Sequence, residues 1–383
     1  MRTSVVDDTW DVVVVGGGPA GSAAALSALR ARPDMRVLLI DRATFPRDKA
    51  CGDGVAPHAL DVVAALGAPG LVDDFRPVHR LRLGYPLGQG AELSGTTTRP
   101  SRVVPRRVLD GRLRDAALAA GAVPALRRVR RLDARGDSVV LDGEVRARVV
   151  VAADGAESVV RRELGLRRNT GGHLALAIRG YAPVLPRLSD EQRIVLARGR
   201  RAAYAWSFPI GDGRANVGYG EVLTGGPRPT RAHLLERLDA LLPGAAAGGS
   251  AWRAAHLPLS TRRPRQPDGR VLLAGDALSL VNPLTGEGIY YAVLSGACAG
   301  EAAVSTGDPG RRYRVHLKHL LWPHLRHTAV AARLAGVPAV VDAVLRAGDA
   351  NPEVFAVLTE LGLGRGLLTP RVLARTAAAV TSR

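Results

Sequence analysis

The sequence predicts an α/β protein: a Rossmann-like nucleotide-binding domain, an antiparallel β-sheet domain inserted into it, and a helical C-terminal region. Three observations lead there. "WDVVVVGGGPAGSAAALSALRAR" joins an unbroken β-branched run, residues 12–15, to a glycine turn and an alanine-rich helix over about 20–30. Residues 149–153 and the segment "GRVLLAGDALS" return to the same pattern. Continuous apolar runs of this kind suit parallel strands covered on both faces. Between them, from 169 to about 270, the pattern changes to alternating strands, as in a sheet with one solvated face.

The elements follow in order. "RVLLIDR", residues 36–42, is the second parallel strand and closes a βαβ unit. Residues 56–67 read as a helix, 79–104 as short strands and turns, and 105–122 as an amphipathic helix. A β-meander then runs into the strand at 149–153. In the inserted region "LALAIRGYAPV", "AAYAWSFPI" and "RANVGYGEV" are strands, and one helix spans about 231–242. A long alanine-rich helix starts at Gly288. Residues 311–383 are helical in pattern, broken by Pro323, Pro338, Pro352 and Pro370. The expected division is 1–78, 100–168 and 265–310 for the nucleotide-binding domain, 79–99 and 169–264 for the sheet domain, and 311–383 for the C-terminal region.

Composition narrows the function. With 383 residues and 46% hydrophobic content, the chain can bury full cores, which excludes global disorder. Two cysteines exclude a disulfide framework and point to a reducing, cytoplasmic setting. The start "MRTSVVDDTW" has no apolar signal segment, and no apolar run reaches spanning length. The net charge of +18 would suit an acidic partner. Only Lys49 and Lys318 are lysines, however, so a bias toward arginine pervades the whole composition. Aromatics make up 4% of the chain and do not interleave with basic runs, which argues against nucleic acid as a partner. His316, His319, His324 and His327 straddle Pro323 with no carboxylate at matching spacing. They read as a solvated helix face, and no metal is expected. Leu317, Leu320, Leu321 and Trp322 beside Lys318 give that segment a second reading, peripheral contact with a membrane surface.

The motifs carry the chemistry. Gly16-x-Gly18-x-x-Gly21 follows a strand and opens a helix. Gly16 allows the tight turn, Gly18 lets backbone approach a pyrophosphate, and Gly21 lets helix pack on strand. The helix start then offers free N–H groups and a positive dipole end. Asp41, followed by Arg42, ends the second strand, where a carboxylate can accept from ribose hydroxyls. Asp154-Gly155 and Gly275-Asp276 stand at two further strand ends. After Pro283, the turn Gly286-Glu287-Gly288 opens a helix whose N-terminus would favour an anionic, reduced ring system. Strand alternation puts Tyr204, Trp206 and Phe208 on one face, a flat apolar wall.

Taken together, GGGPAG, "FPRDKACGDG", Arg106-x-x-Leu-Asp110, "AADGA", "GDALSLVNPLTGEGIYYA" and "YAWSFP" followed by "VGYG" resemble the geranylgeranyl reductase family, flavoproteins shaped like the aromatic hydroxylases. The resemblance covers roughly residues 11–305. It implies FAD as cofactor, reduced by NAD(P)H or ferredoxin. It puts Ala20, Asp41, Arg106, Asp276, Gly288 and Ile289 on FAD-contact positions, and Cys51, Gly52 and Gly54 on the segment beside the isoalloxazine. It puts Tyr204, Trp206, Phe208, Pro209, Gly218 and Gly220 in the prenyl pocket. The implied reaction is hydride transfer to an isoprenoid C=C bond, with basic residues receiving an anionic head. Cys51 is the candidate proton donor or redox-sensitive group, its pKa expected to be lowered by Arg47 and Lys49, or else a residue that only packs against the ring. Lys49 would bind a phosphate or cap a turn, and Cys298 would be a packing thiol. Two rivals share these motifs: a flavin monooxygenase or halogenase acting on an aromatic or polyketide-type molecule, and a non-catalytic electron carrier.

Overall fold

The structure, a computed structural model, describes residues 9–86, 88–134, 136–199 and 202–381. The expected starts and ends of the chain, 1–8 and 382–383, lie outside these. The chain begins with β1 (Trp10–Val15), α1 (Pro19–Ala31), β2 (Val37–Asp41), β3 (Gly54–Val55), α2 (Pro57–Ala65), β4 (Pro77–Gly84), β5 (Glu92–Val103) and α3 (Arg106–Ala119). It continues with β6 (Val123–Leu126), β7 (Leu132–Asp133), β8 (Val139–Leu141), β9 (Val145–Ala152), α4 (Val159–Glu163), β10 (Leu174–Pro183), β11 (Glu191–Leu196), β12 (Ala203–Pro209), β13 (Arg214–Val222), α5 (Arg231–Leu241) and β14 (Ser250–Pro258). β15 (Val271–Leu273), α6 (Ile289–Ala303), α7 (Pro309–Leu334), α8 (Pro338–Ala350), α9 (Pro352–Leu363) and α10 (Pro370–Thr381) complete it.

The expected fold class is found. One sheet runs β6-β2-β1-β9-β8-β7, with β15 also on β9. Its β6, β2, β1, β9 and β15 are mutually parallel, whereas β7 and β8 form an antiparallel flap. Val12, Val13 and Val14 are fully buried, as a strand covered on both faces must be. The second sheet runs β14-β10-β13-β12-β11-β4-β5-β3. It is antiparallel except where β11 lies parallel to β4, because the chain between them returns through the first sheet. This sheet also takes β3, Pro77 and Val78 of β4, and the last residues of β5. The expected boundaries at 79 and 99 leave those residues in the nucleotide-binding domain.

Small residues fix how the site is framed. A Cβ built on Gly296 would lie 2.1 Å from the Ala20 carbonyl, and one on Gly300 2.2 Å from that of Ala24. α1 and α6 therefore touch backbone to backbone, and both begin at the same cavity.

The C-terminal region corrects two expectations. Pro323 does not break its helix: α7 runs through it for 26 residues. Pro323 is on the exposed side, where water can meet the carbonyl it leaves unpaired. Nor do the four histidines share a solvated face. His324 is 1% exposed. Its Nε2 meets the Tyr291 hydroxyl at 2.7 Å and its Nδ1 the Gly366 carbonyl at 2.8 Å. His327 Nδ1 accepts from the Leu368 N–H at 2.8 Å. Leu317 and Leu321 are buried in the core, so they present nothing to a membrane surface. Among the described residues, no single helix is long and apolar enough to cross a membrane.

If backbone contact between α1 and α6 holds the frame, Gly300→Ala must push the helices apart. It should lower stability by about 3 kcal/mol, seen as a drop in the urea midpoint. An unchanged midpoint would show that the contact can relax.

Candidate active site

A cavity of about 1140 Å³ starts at the glycine turn after β1, passes Cys51 and ends between the second sheet and α9. Each stretch is built from a different element, so the predicted residues can be taken from one end to the other.

At the first end, Gly16 has φ +107°, and a Cβ there would lie 2.3 Å from the Ala153 carbonyl. A Cβ on Gly21 would meet the Gly16 carbonyl at 1.7 Å. Gly21 thus packs behind the turn and does not line the cavity, whereas Gly16, Gly18 and Ala20 do. Gly18 caps α1 with no side-chain hydrogen bond and no acid in the first turn. Asp41 lines the cavity beside Arg42. One of its oxygens already accepts from Gly17 N at 2.7 Å and the other from Ala43 N at 2.8 Å. Asp154 accepts from Val159 N and Val160 N with Oδ2, while its buried Oδ1 has no partner. Burial pushes its pKa up. A bare helix start, a carboxylate at the end of β2 and an orphaned buried acceptor together fit the phosphates and hydroxyls of a dinucleotide.

In the middle, Arg106 is buried and forks onto Asp110 at 2.7 and 2.9 Å, and Arg47 reaches the same carboxylate at 3.0 Å. Lys49 pairs with Asp276 at 3.1 Å. Both cations expected to tune Cys51 are therefore committed to carboxylates. Burial raises the Cys51 pKa, and the Arg106 guanidinium beside the thiol only opposes that rise. Cys51 is held as a neutral thiol, contrary to the sequence expectation. Lys49 is the partner of Asp276 rather than a turn cap.

The turn before α6 also differs. Gly286, Gly288 and Ile289 line the cavity, as does Asp276. The helix start is not bare, because Glu287 Oε1 accepts from Tyr290 N at 2.7 Å. Burial pushes the Glu287 carboxyl up to about 7.

At the far end, Tyr204, Trp206 and Phe208 form one wall, with successive ring centroids 5.9 and 6.4 Å apart. Cys51 to Gly54 lies on it: a Cβ on Gly52 would be 3.4 Å from Phe208 and 3.5 Å from Trp206. Gly220 lines the cavity, but Gly218 and Pro209 do not. Gly218 sits under Trp206, where a Cβ would come within 2.3 Å of the indole. Beyond the wall, Leu81, Leu83, Leu93 and Ile194 of the sheet face Leu358 of α9 across an apolar arm. α9 is tied over it by Thr285 Oγ1 to Gly362 O at 2.8 Å and Asn282 Nδ2 to Leu361 O at 3.0 Å. Sequence reasoning expected a helix after Pro352 but missed that it closes the arm, because an amphipathic helix carries no mark of what it covers. It also missed Asp53 and Asn216, single polar residues inside "CGDG" and "RANVGYG".

Residues 9–297 match the FAD binding domain family. The chain is 36% identical over 353 residues to the menaquinone reductase of Mycolicibacterium smegmatis, covering 85% of this chain and 83% of that protein. It is 35% identical over 312 residues to digeranylgeranylglycerophospholipid reductase 1 of Methanopyrus kandleri, covering 77% and 80%. A geranylgeranyl bacteriochlorophyll reductase-like structure from Thermoplasma acidophilum superposes with a TM-score of 0.76 at 22% identity, covering 98% and 96% of the two chains. Fold and site thus define an FAD-dependent oxidoreductase. Within that class the chain belongs to the geranylgeranyl reductase family of FAD-binding proteins.

Glu287 gives a test of the electrostatics. Its folded pKa is raised from 4.5 to about 7, so its contribution to stability is full below pH 4.5 and lost as pH rises through 7. In the FAD-free protein, Glu287→Gln should therefore be more stable than wild type at pH 8. The gain should be on the order of 2 kcal/mol after allowing for partial exposure, and it should shrink toward zero near pH 4. Melting curves across that range would show it. A gap independent of pH would contradict the assignment.

Proposed function

We propose that the protein saturates C=C bonds in the prenyl chain of a hydrophobic small molecule, with electrons from NAD(P)H or ferredoxin. The observation that carries this is the apolar arm beyond Cys51, continuous with the dinucleotide end of the cavity. Leu81, Leu83 and Leu93 from β4 and β5 and Leu358 from α9 line that arm and give it an apolar surface that suits a prenyl chain. The names of the relatives at 36% and 35% identity, reductases of a menaquinone and of a geranylgeranyl lipid, support the same class of substrate.

In this reading the roles divide as follows. Bound FAD would supply hydride at the ring end of the cavity. Gly16, Gly18, Ala20, Asp41, Arg42 and Asp154 would hold the nucleotide half of that cofactor. Arg106, Asp276, Gly286, Gly288 and Ile289 would hold the other half, beside the Cys51–Gly54 segment. Tyr204, Trp206 and Phe208 flatten one side of the substrate channel, and Gly220 keeps it open. The apolar arm excludes water from the double bond. Cys51 keeps its proton near neutral pH because burial disfavours the thiolate. A thiol that stays protonated carries the proton that the carbon not receiving hydride must gain.

Two experiments test this. FAD-loaded enzyme, reduced with dithionite under strict anaerobiosis, should convert menaquinone or geranylgeranyl diphosphate to products heavier by about two hydrogens per bond reduced. Unchanged prenyl compounds, with the flavin reoxidised only by added oxygen, would favour a monooxygenase or halogenase. The second experiment is Cys51→Ala, which should retain bound FAD and lose about 100-fold or more in product formation. A full rate in this variant would remove Cys51 as the proton donor.

A further inference from the structure

The segment that carries Cys51 is held by a cluster of buried polar groups. Asp53 is fully buried and sits at φ +61°, a backbone conformation uncommon outside glycine. Its Oδ2 accepts from the Tyr181 hydroxyl at 2.6 Å and from Asn216 Nδ2 at 2.8 Å. Its Oδ1 is buried without a partner. Asn216, also fully buried, donates from the same Nδ2 to the Cys51 carbonyl at 2.8 Å. Its Oδ1 accepts from the Trp206 indole N–H at 2.9 Å. One amide therefore joins the Cys51 loop, the carboxyl of Asp53 and the aromatic wall of the substrate channel.

Three neighbours fix the orientation of that amide. An indole N–H can only donate, so it demands the carbonyl side of Asn216. The Cys51 carbonyl and an ionised Asp53 can only accept, so they demand the NH₂ side. With Asp53 ionised all three demands agree. A proton on Asp53 turns these charge-assisted bonds into weaker neutral ones: on Oδ1 it is a buried donor with no acceptor, and on Oδ2 it competes with the two donors already there. The groups facing Asp53 are the Tyr181 hydroxyl and Arg179 from β10, Asn216 from β13, Arg106 from α3, and the Cys51 thiol two residues away. Burial wins over all the groups that favour the charged form, pushing the carboxyl up to about 6.

We propose that Asp53 is a positioning residue: acting through Asn216, its carboxylate fixes the Cys51 backbone against Trp206, and protonating it loosens the thiol from the substrate wall. The catalytic part of this rests on the proton-donor role given to Cys51 above, but the coupling to Trp206 can be measured without any substrate.

The test uses the FAD-loaded, full-length protein with ¹⁵N-labelled tryptophan. There are four tryptophans, and Trp206→Phe assigns the Trp206 indole signal. In wild type that signal should shift between pH 5 and 8 with a midpoint near 6, the value to which Asp53 is pushed. The shift should vanish in Asp53→Asn. In Tyr181→Phe it should persist with a higher midpoint, because the Tyr181 hydrogen bond favours the charged form. Anaerobic turnover should lose rate below the same midpoint in wild type. Asp53→Asn should remove that acid limb and lower kcat with KM little changed. A Trp206 signal that stays flat in wild type, or that titrates unchanged in Asp53→Asn, overturns the proposal. Should Asp53→Asn fail to fold, an unmoved midpoint in Tyr181→Phe overturns it equally. A titrating Trp206 in an enzyme that leaves every prenyl compound unreduced upholds the coupling and counts against the prenyl reading alone.

Discussion

The contact between α1 and α6 is the constraint on which the site depends. Both helices start at the cavity, one at the dinucleotide turn and one at Gly288. Their separation sets the distance between those two turns. Ala20 is the pivot: a Cβ on Gly296 would meet its backbone, and one on Gly275 would lie 3.2 Å from its side chain. A larger residue at any of these points would widen the frame and misplace everything attached to it. Close packing of this kind transmits displacement because a protein interior has few voids to absorb it.

The second sheet completes the site by bringing its aromatic face against the Cys51 loop. The loop's glycines lie flat on Trp206 and Phe208, so the Cys51 segment and the aromatic wall are one packed unit. Charge follows the same economy. The chain is strongly basic overall, yet the cations nearest the thiol are each bound to a carboxylate, Arg47 and Arg106 to Asp110 and Lys49 to Asp276. Desolvation is then the dominant influence on what remains. It keeps the Cys51 thiol protonated and raises the carboxyls of Asp53 and Glu287 toward neutrality. An interior of this kind holds protons, as the proposed delivery of hydride and proton would require.

Much of this was legible in the sequence, for physical reasons. The β1–α1–β2 unit announces itself because a strand buried on both faces must be apolar throughout, and a dinucleotide turn must be glycine. The Tyr204–Trp206–Phe208 wall follows from strand period alone. What sequence left hidden depends on distant partners. The cation beside Cys51 in sequence suggested a low pKa, but Asp110 and Asp276, far along the chain, neutralise it. Pro323 looked like a helix end, whereas its place on the exposed side of α7 lets the helix continue. His324 is buried because Tyr291 and Gly366, on other elements, satisfy both ring nitrogens. Likewise nothing local in α9 says that Leu358 will close the apolar arm.

The central claim is that one cavity holds the cofactor's ring at Cys51 and a prenyl chain in the arm beyond it. A crystal structure of the FAD-loaded enzyme with a bound, fully saturated prenyl product tests that most directly. The account predicts the ring against Cys51 and Gly52 and the chain between Leu81, Leu93, Ile194 and Leu358. A chain lying outside that arm, or a ring system filling it, would contradict the account.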